Sequence, residues 1–262
     1  MLRSFAGGTL FGSASGQSPA AVLLLHGWAR THRDFDAMVR GPVGEGAGGP
    51  GRATGGELAA VALDLPGFGA TAPPPAAWGA ADYADCVAAV IDEMAVPVVV
   101  VGHSFGGRVA VHLAASRPEL VRGLVLTGVP LLRVRPPRRP ARGYRLVRRL
   151  HRAGLVGEDR MEAARQRYGS ADYRAVQGVM RQVHVTAVAE TYEDQLAAIG
   201  CPVSLVWGDD DAEVPLAVAE AAAAQLAVAE LTVCPGAGHL TPLTVPGVLR
   251  AAVERRLVEA PR

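Results

Sequence analysis

The sequence predicts an α/β fold with a mostly parallel central sheet flanked by helices. Three observations carry this. Apolar runs of strand length alternate along the chain with segments of helical periodicity. One β-branched run, Val98-Val99-Val100-Val101, passes through Gly102-His103-Ser104-Phe105-Gly106 straight into a helical pattern at Val109, Ala110, Leu113 and Ala114. A serine on such a strand–turn–helix junction is the setting of a nucleophile elbow. Turn-rich polar loops follow several of the strand-like runs, at the end of an open parallel sheet where ligands bind.

Taken in order, residues 1–15 read as a small hairpin at the sheet edge. Residues 21–25 form a short apolar run bounded by Pro19 and by His26-Gly27, and residues 58–63 form the next, ending at Asp64 and Pro66. Tyr83, Val87, Val90, Ile91 and Met94 recur at helical spacing ahead of the valine strand. A strand follows the elbow helix at 124–126. Another lies at 203–206, then a helix at 217–226, a last strand at 231–233 and a closing helix at 248–258.

Two segments break this rhythm. Residues 41–56 are glycine-rich and read as a surface loop. Gly44, Gly46 and Gly49 within it match a dinucleotide fingerprint formally, but no strand precedes them and Pro50-Gly51 follows, so that reading fails. Residues 130–200 carry helical patterns without a clear strand. They read as a helical cap inserted after the sixth strand, between core segments 1–129 and 201–262.

Composition narrows the function classes. Half of the 262 residues are apolar and the net charge is +1, so no global field points to nucleic acid or a membrane surface. The 26 basic residues are all arginine. Without lysine there is no Walker-type phosphate loop and no lysine Schiff base. Cys86, Cys201 and Cys234 are scattered, with neither a disulfide framework nor a zinc spacing, which fits reduced thiols. No signal-like segment and no apolar stretch of about 18 residues stands out, so a cytoplasmic chain with no membrane span is expected.

Five loops hold the candidate chemistry. His26-Gly27-Trp28 can aim a backbone N–H at a developing oxyanion. Asp64-Leu65-Pro66-Gly67-Phe68-Gly69 looks structural. Ser104 sits in the third loop. Asp209, Asp210, Asp211 and Glu213 lie just past the 203–206 run, and Gly236-Ala237-Gly238-His239 follows the last strand. Asp209 and Asp210 are also candidates to cap a helix near Val214. Of the other histidines, His26 reads as fixing its loop and His103 as pointing into the fold. His32, His112, His151 and His184 have no partner spacing and read as structural or surface residues.

With serine, acid and histidine in that chain order, the sequence resembles the α/β-hydrolase superfamily, in its branch of small, cap-bearing esterases. The resemblance covers most of the chain, least well the 41–56 loop and the cap. It implies Ser104 as nucleophile, His239 as base, Asp211 as acid, and the N–H groups of Trp28 and Phe105 as oxyanion donors. No metal and no cofactor are implied, and the expected substrate is a small-molecule ester. Serine at the elbow separates the chain from dehalogenases and epoxide hydrolases, which carry aspartate there. C–C bond hydrolases and lyases use the same triad, and a ligand-binding protein on a hydrolase scaffold would keep the pocket without turnover.

The cap is strongly basic. Arg138, Arg142, Arg145, Arg149 and Arg152 fall near one face of a helix, with Leu146, Val147 and Leu150 expected on the other. The plain reading is a solvated face. The sharper one is a docking surface for an acidic partner, such as an acyl carrier protein or a phosphate-bearing thioester, and it draws on a resemblance to pimeloyl-carrier-protein methyl ester esterases. Nucleic acid is disfavoured because few aromatics are interleaved.

Overall fold

The computed structural model describes residues 1–41, 56–134 and 141–258. The rejected fingerprint (Gly44 to Gly49) and Arg138 lie outside the described residues.

Strands β1 (Leu2–Phe5), β2 (Leu10–Ser15), β3 (Val22–Leu25), β4 (Ala60–Asp64), β5 (Val98–His103), β6 (Val121–Thr127), β7 (Val203–Gly208) and β8 (Ala229–Cys234) form one sheet. Their order is β1-β2-β4-β3-β5-β6-β7-β8. β1 pairs with β2, and β2 with β4, antiparallel; every other pairing is parallel. The expected edge hairpin is therefore present, and β2 is the strand that runs against the rest.

Why this sheet forms is clearest at β5. Val98 and Val100 point into one core layer, and Val99 and Val101 into the other. All four are fully buried, as the two-residue period of a strand covered on both faces requires. Each valine contributes about 1.5–3 kcal/mol by leaving water, so this strand is committed to the centre.

Helices α2 (Ala80–Met94) and α3 (Phe105–Ser116) cover one face with Tyr83, Val87, Ile91, Val109 and Leu113. The short α1 (Asp36–Arg40) and the closing helix cover the other with Met38, Leu249 and Val253. The closing helix spans Pro246–Val258, two residues earlier than expected, because proline suits a first helical position.

Between β6 and β7 lie α4 (Arg142–Arg152), α5 (Glu158–Tyr168), α6 (Ala171–Ala175), α7 (Gly178–Ala189) and α8 (Glu193–Ala198), with no strand among the described residues. α7 lies across the core. The Arg108 guanidinium, from α3, donates to the Ala187 carbonyl, and a Cβ on Gly67 would run into the Met180 side chain. Helices α9 (Leu216–Ala223), α10 (Thr241–Thr244) and α11 (the closing helix) complete the chain.

Candidate active site

The elbow is built by close backbone approach. A Cβ on Gly102 would collide with the Gly107 backbone, and one on Gly106 with the Leu25 carbonyl. Only residues without a side chain let β5 turn straight into α3 here. Ser104 itself has φ 48° and ψ −109°, a conformation that costs an L-residue about 1–3 kcal/mol and persists only where the surroundings impose it. The surroundings do so. The Ser104 N–H donates to the Thr127 carbonyl at 3.0 Å, and its own carbonyl accepts from Gly107 at 3.1 Å and Arg108 at 3.3 Å.

The loop after β3 is stapled to this turn. The Gly106 N–H donates to the His26 carbonyl at 3.0 Å. His26 is fully buried, bonded through Nδ1 to the Gly27 carbonyl at 2.7 Å and accepting from the Leu65 N–H at Nε2 over 3.0 Å. It fixes the loop, and burial holds its pKa down at about 4, so it stays neutral. The Trp28 ring stacks edge-on against Phe105 at 5.3 Å and Phe68 at 5.0 Å. Among the described residues, the backbone N–H groups of Trp28 and Phe105 make no hydrogen bond. Phe105 directly follows Ser104, and Trp28 follows Gly27, where a Cβ would lie 3.4 Å from the Ser104 Cβ.

Asp211 and His239 meet across the ends of β7 and β8. His239 Nδ1 lies 2.8 Å from Asp211 Oδ2. The other carboxylate oxygen accepts from the N–H groups of Glu213 at 2.9 Å and Val214 at 2.8 Å. This corrects the capping expectation: Asp211 itself closes this turn, whereas Asp209 accepts from the Gly236 N–H at 2.7 Å. The helix that follows starts only at Leu216, with Pro215 at its N-cap and no side-chain cap.

Burial opposes a charge on His239, but the hydrogen bond and charge of Asp211, with Glu213 and Asp172 adding to it, raise its pKa above the ordinary value. His103 supports the same loop. It is 1% exposed, and its Nε2–H donates to the His239 carbonyl at 3.0 Å. That carbonyl also accepts from the Thr241 N–H at 3.0 Å. Burial, and repulsion from His239, keep the His103 pKa at about 4.

Several participants escape sequence reading. A Cβ on Gly128 (φ 59°) would lie 2.9 Å from His239 Cε1 and 3.0 Å from its Nδ1, so this position makes room for the imidazole. Glu213 Oε2 stands 3.5 Å from His239 Nε2. His32, read as a structural or surface residue, bonds Asp64 through Nδ1 at 2.8 Å, a partner that its spacing in the sequence does not show. His184, on α7, packs its ring 4.9 Å from Trp28. Tyr173 is 6.5 Å from His184 and lines a cavity of about 490 Å³ with Tyr144, Tyr168 and Val185. Among the described residues, no cluster of three or more His, Cys, Asp or Glu side chains is set to hold a metal ion.

On α4, Arg142, Arg145, Arg149 and Arg152 are exposed and form no ion pair with a carboxylate among the described residues. Leu146 departs from expectation. It is 58% exposed and shares the arginine side, since one helical turn from Arg142 returns to the same face. No described helix is long and apolar enough to cross a membrane.

Comparison with known proteins agrees with this architecture. The chain is 49% identical over 71 residues to Lipase LipV of Mycobacterium tuberculosis, covering 27% of each chain. It is 39% identical over 107 residues to the pimeloyl-[acyl-carrier protein] methyl ester esterase of Neisseria meningitidis, covering 40% of this chain and 35% of that one. The matched parts thus span about a third or less of these relatives. A solved esterase from Thermogutta terrifontis superimposes with a TM-score of 0.65 at 23% identity, over 95% of this chain and 94% of the other. Residues 22–252 match the alpha/beta hydrolase family, and the chain belongs to it.

Proposed function

We propose that this protein is a serine hydrolase that cleaves a carboxylic ester through an acyl-enzyme intermediate. The observation that carries the reading is the 2.8 Å His239–Asp211 hydrogen bond, with Ser104 held at positive φ on the turn between β5 and α3. A serine hydroxyl is a weak nucleophile without an adjacent base. Asp211 holds the Nδ1–H tautomer of His239, leaving Nε2 to accept the Ser104 proton. Oγ then attacks the ester carbonyl, and the free N–H groups of Trp28 and Phe105 receive the oxyanion. One such donor is typically worth about 3–4 kcal/mol in the transition state. His239 returns the proton to the departing alcohol, and water repeats the sequence on the acyl-enzyme.

The helices between β6 and β7 act as a cap in this reading. His184 against Trp28 brings α7 to the oxyanion loop, and the tyrosine-lined cavity offers an apolar wall. The test is turnover of 4-nitrophenyl butyrate. The wild type hydrolyses it and Ser104→Ala does not; substantial activity in the variant contradicts the assignment.

A second reading has an observation of its own. The arginines of α4 that pair with no carboxylate among the described residues suit an acidic partner, and the Neisseria relative is named a pimeloyl-[acyl-carrier protein] methyl ester esterase. Arg142, Arg145 and Arg149 would carry such docking; Arg138 lies outside the described residues. Turnover of a carrier-linked ester should then fall steeply with ionic strength while small-ester turnover does not. A parallel response of the two removes this reading.

A further inference from the structure

Glu213 is not needed for the triad chemistry, yet it stands at its most consequential atom. Its Oε2 is 3.5 Å from His239 Nε2. The side chain is 70% exposed, but its backbone is fixed, because the Glu213 N–H donates to Asp211 Oδ1 at 2.9 Å. The carboxylate is thus tethered to the same residue that orients the imidazole.

The geometry points to Glu213 as a specificity-determining residue that reads the leaving group and favours esters of cationic or neutral alcohols over those of anionic ones. The inference rests on the ester-hydrolase reading. In that reaction Nε2 gives its proton to the departing oxygen, so this oxygen must come within hydrogen-bond reach of Nε2. A carboxylate 3.5 Å from the same nitrogen is then at most about 6–7 Å from the leaving atom. The carbonyl oxygen turns towards the Trp28 and Phe105 N–H groups, so Glu213 faces the alcohol part. Asp172, from α6, adds a second negative charge acting on the same imidazole.

At that separation, and with solvent screening an exposed carboxylate, unit charges discriminate by about threefold to tenfold at low ionic strength. A leaving group with a phosphate or carboxylate near the scissile bond pays this in repulsion. An ammonium gains it.

The test uses two butyrates that differ only in charge: butyrylcholine and its neutral carbon isostere 3,3-dimethylbutyl butyrate. The ratio of their kcat/KM values is measured for wild type, Glu213→Gln and Glu213→Asp. The expected result is a wild-type ratio that favours the cation, shrinks with added salt, falls at least threefold in Glu213→Gln and is partly kept in Glu213→Asp. A ratio within twofold of wild type in Glu213→Gln overturns the role of Glu213 and leaves the ester-hydrolase reading intact. A wild type that turns over neither these esters nor 4-nitrophenyl butyrate contradicts the reading itself, and this inference with it.

Discussion

His103 Nε2 lies 3.0 Å from the carbonyl oxygen of His239, so the residue before the elbow serine holds the loop of the proposed base. The two rings are 5.0 Å apart. Because His103 stays neutral, it can donate this bond without placing a second positive charge beside His239 as that ring takes up a proton. Losing one of two donors to a half-buried carbonyl costs about 1–1.5 kcal/mol. His103→Leu should therefore lower kcat for 4-nitrophenyl butyrate about tenfold with little change in KM, and His103→Gln, which keeps an N–H donor, should recover part of it. A rise in KM at constant kcat would instead make His103 a substrate-binding residue.

The strain at Ser104 gives a stability prediction. Glycine has no penalty at φ 48°, so Ser104→Gly relieves about 1–3 kcal/mol while losing about 0.5–1 kcal/mol to chain entropy. The net gain is about 1 kcal/mol, or about 2 °C in Tm for a chain of this size. Ser104→Ala keeps its Cβ and should show no gain. Thermal melts of the two inactive variants compare them directly, and equal Tm values would mean the turn is not strained.

The raised pKa of His239 sets the acid limb of activity. A base works only unprotonated, so kcat/KM should fall as pH drops through the His239 pKa, which the hydrogen bond and charge of Asp211 raise above the ordinary histidine value. Asp211→Asn removes the hydrogen bond and the charge that raise it. The limb should then move to lower pH, with the plateau reduced about a thousandfold or more. Asp209→Asn leaves the limb in place. A pH profile of the three proteins checks this, and an unmoved limb in Asp211→Asn would assign it to another group.

Gly128 tests the packing around the imidazole. Alanine there must adopt φ 59° and set a methyl 2.9 Å from His239 Cε1, so the ring has to move. A displacement near 1 Å costs on the order of a hundredfold in rate. Gly128→Ala should lose that much kcat while its far-ultraviolet circular dichroism stays native. Retention of half the activity would show that the ring tolerates the methyl.

How much of this is legible in the sequence follows from the range of each interaction. The elbow is short-range, since valine run, Gly102, Ser104 and Gly106 are contiguous and their sterics are local. The sheet is legible because each strand carries its own period. The choice of Asp211 over Asp209 and Asp210 has no local signal. It came from resemblance, and the reason appears only in three dimensions, where Asp209 turns to Gly236 and Asp211 to His239. Gly128, Glu213 and the His184–Trp28 contact depend on distant segments converging, and no periodicity encodes that. The expected placing of Leu146 failed for another reason: a hydrophobic residue one turn from an arginine shares its face whatever its polarity.

The proposed reaction turns on whether Ser104 is an activated nucleophile. Intact-mass analysis after treatment with a fluorophosphonate tests it without knowledge of the substrate. The expected result is one adduct per chain on the wild type, none on Ser104→Ala, and slower labelling as the pH falls through the His239 pKa. A folded wild-type protein that takes up no adduct, or a Ser104→Ala variant that still does, would contradict it.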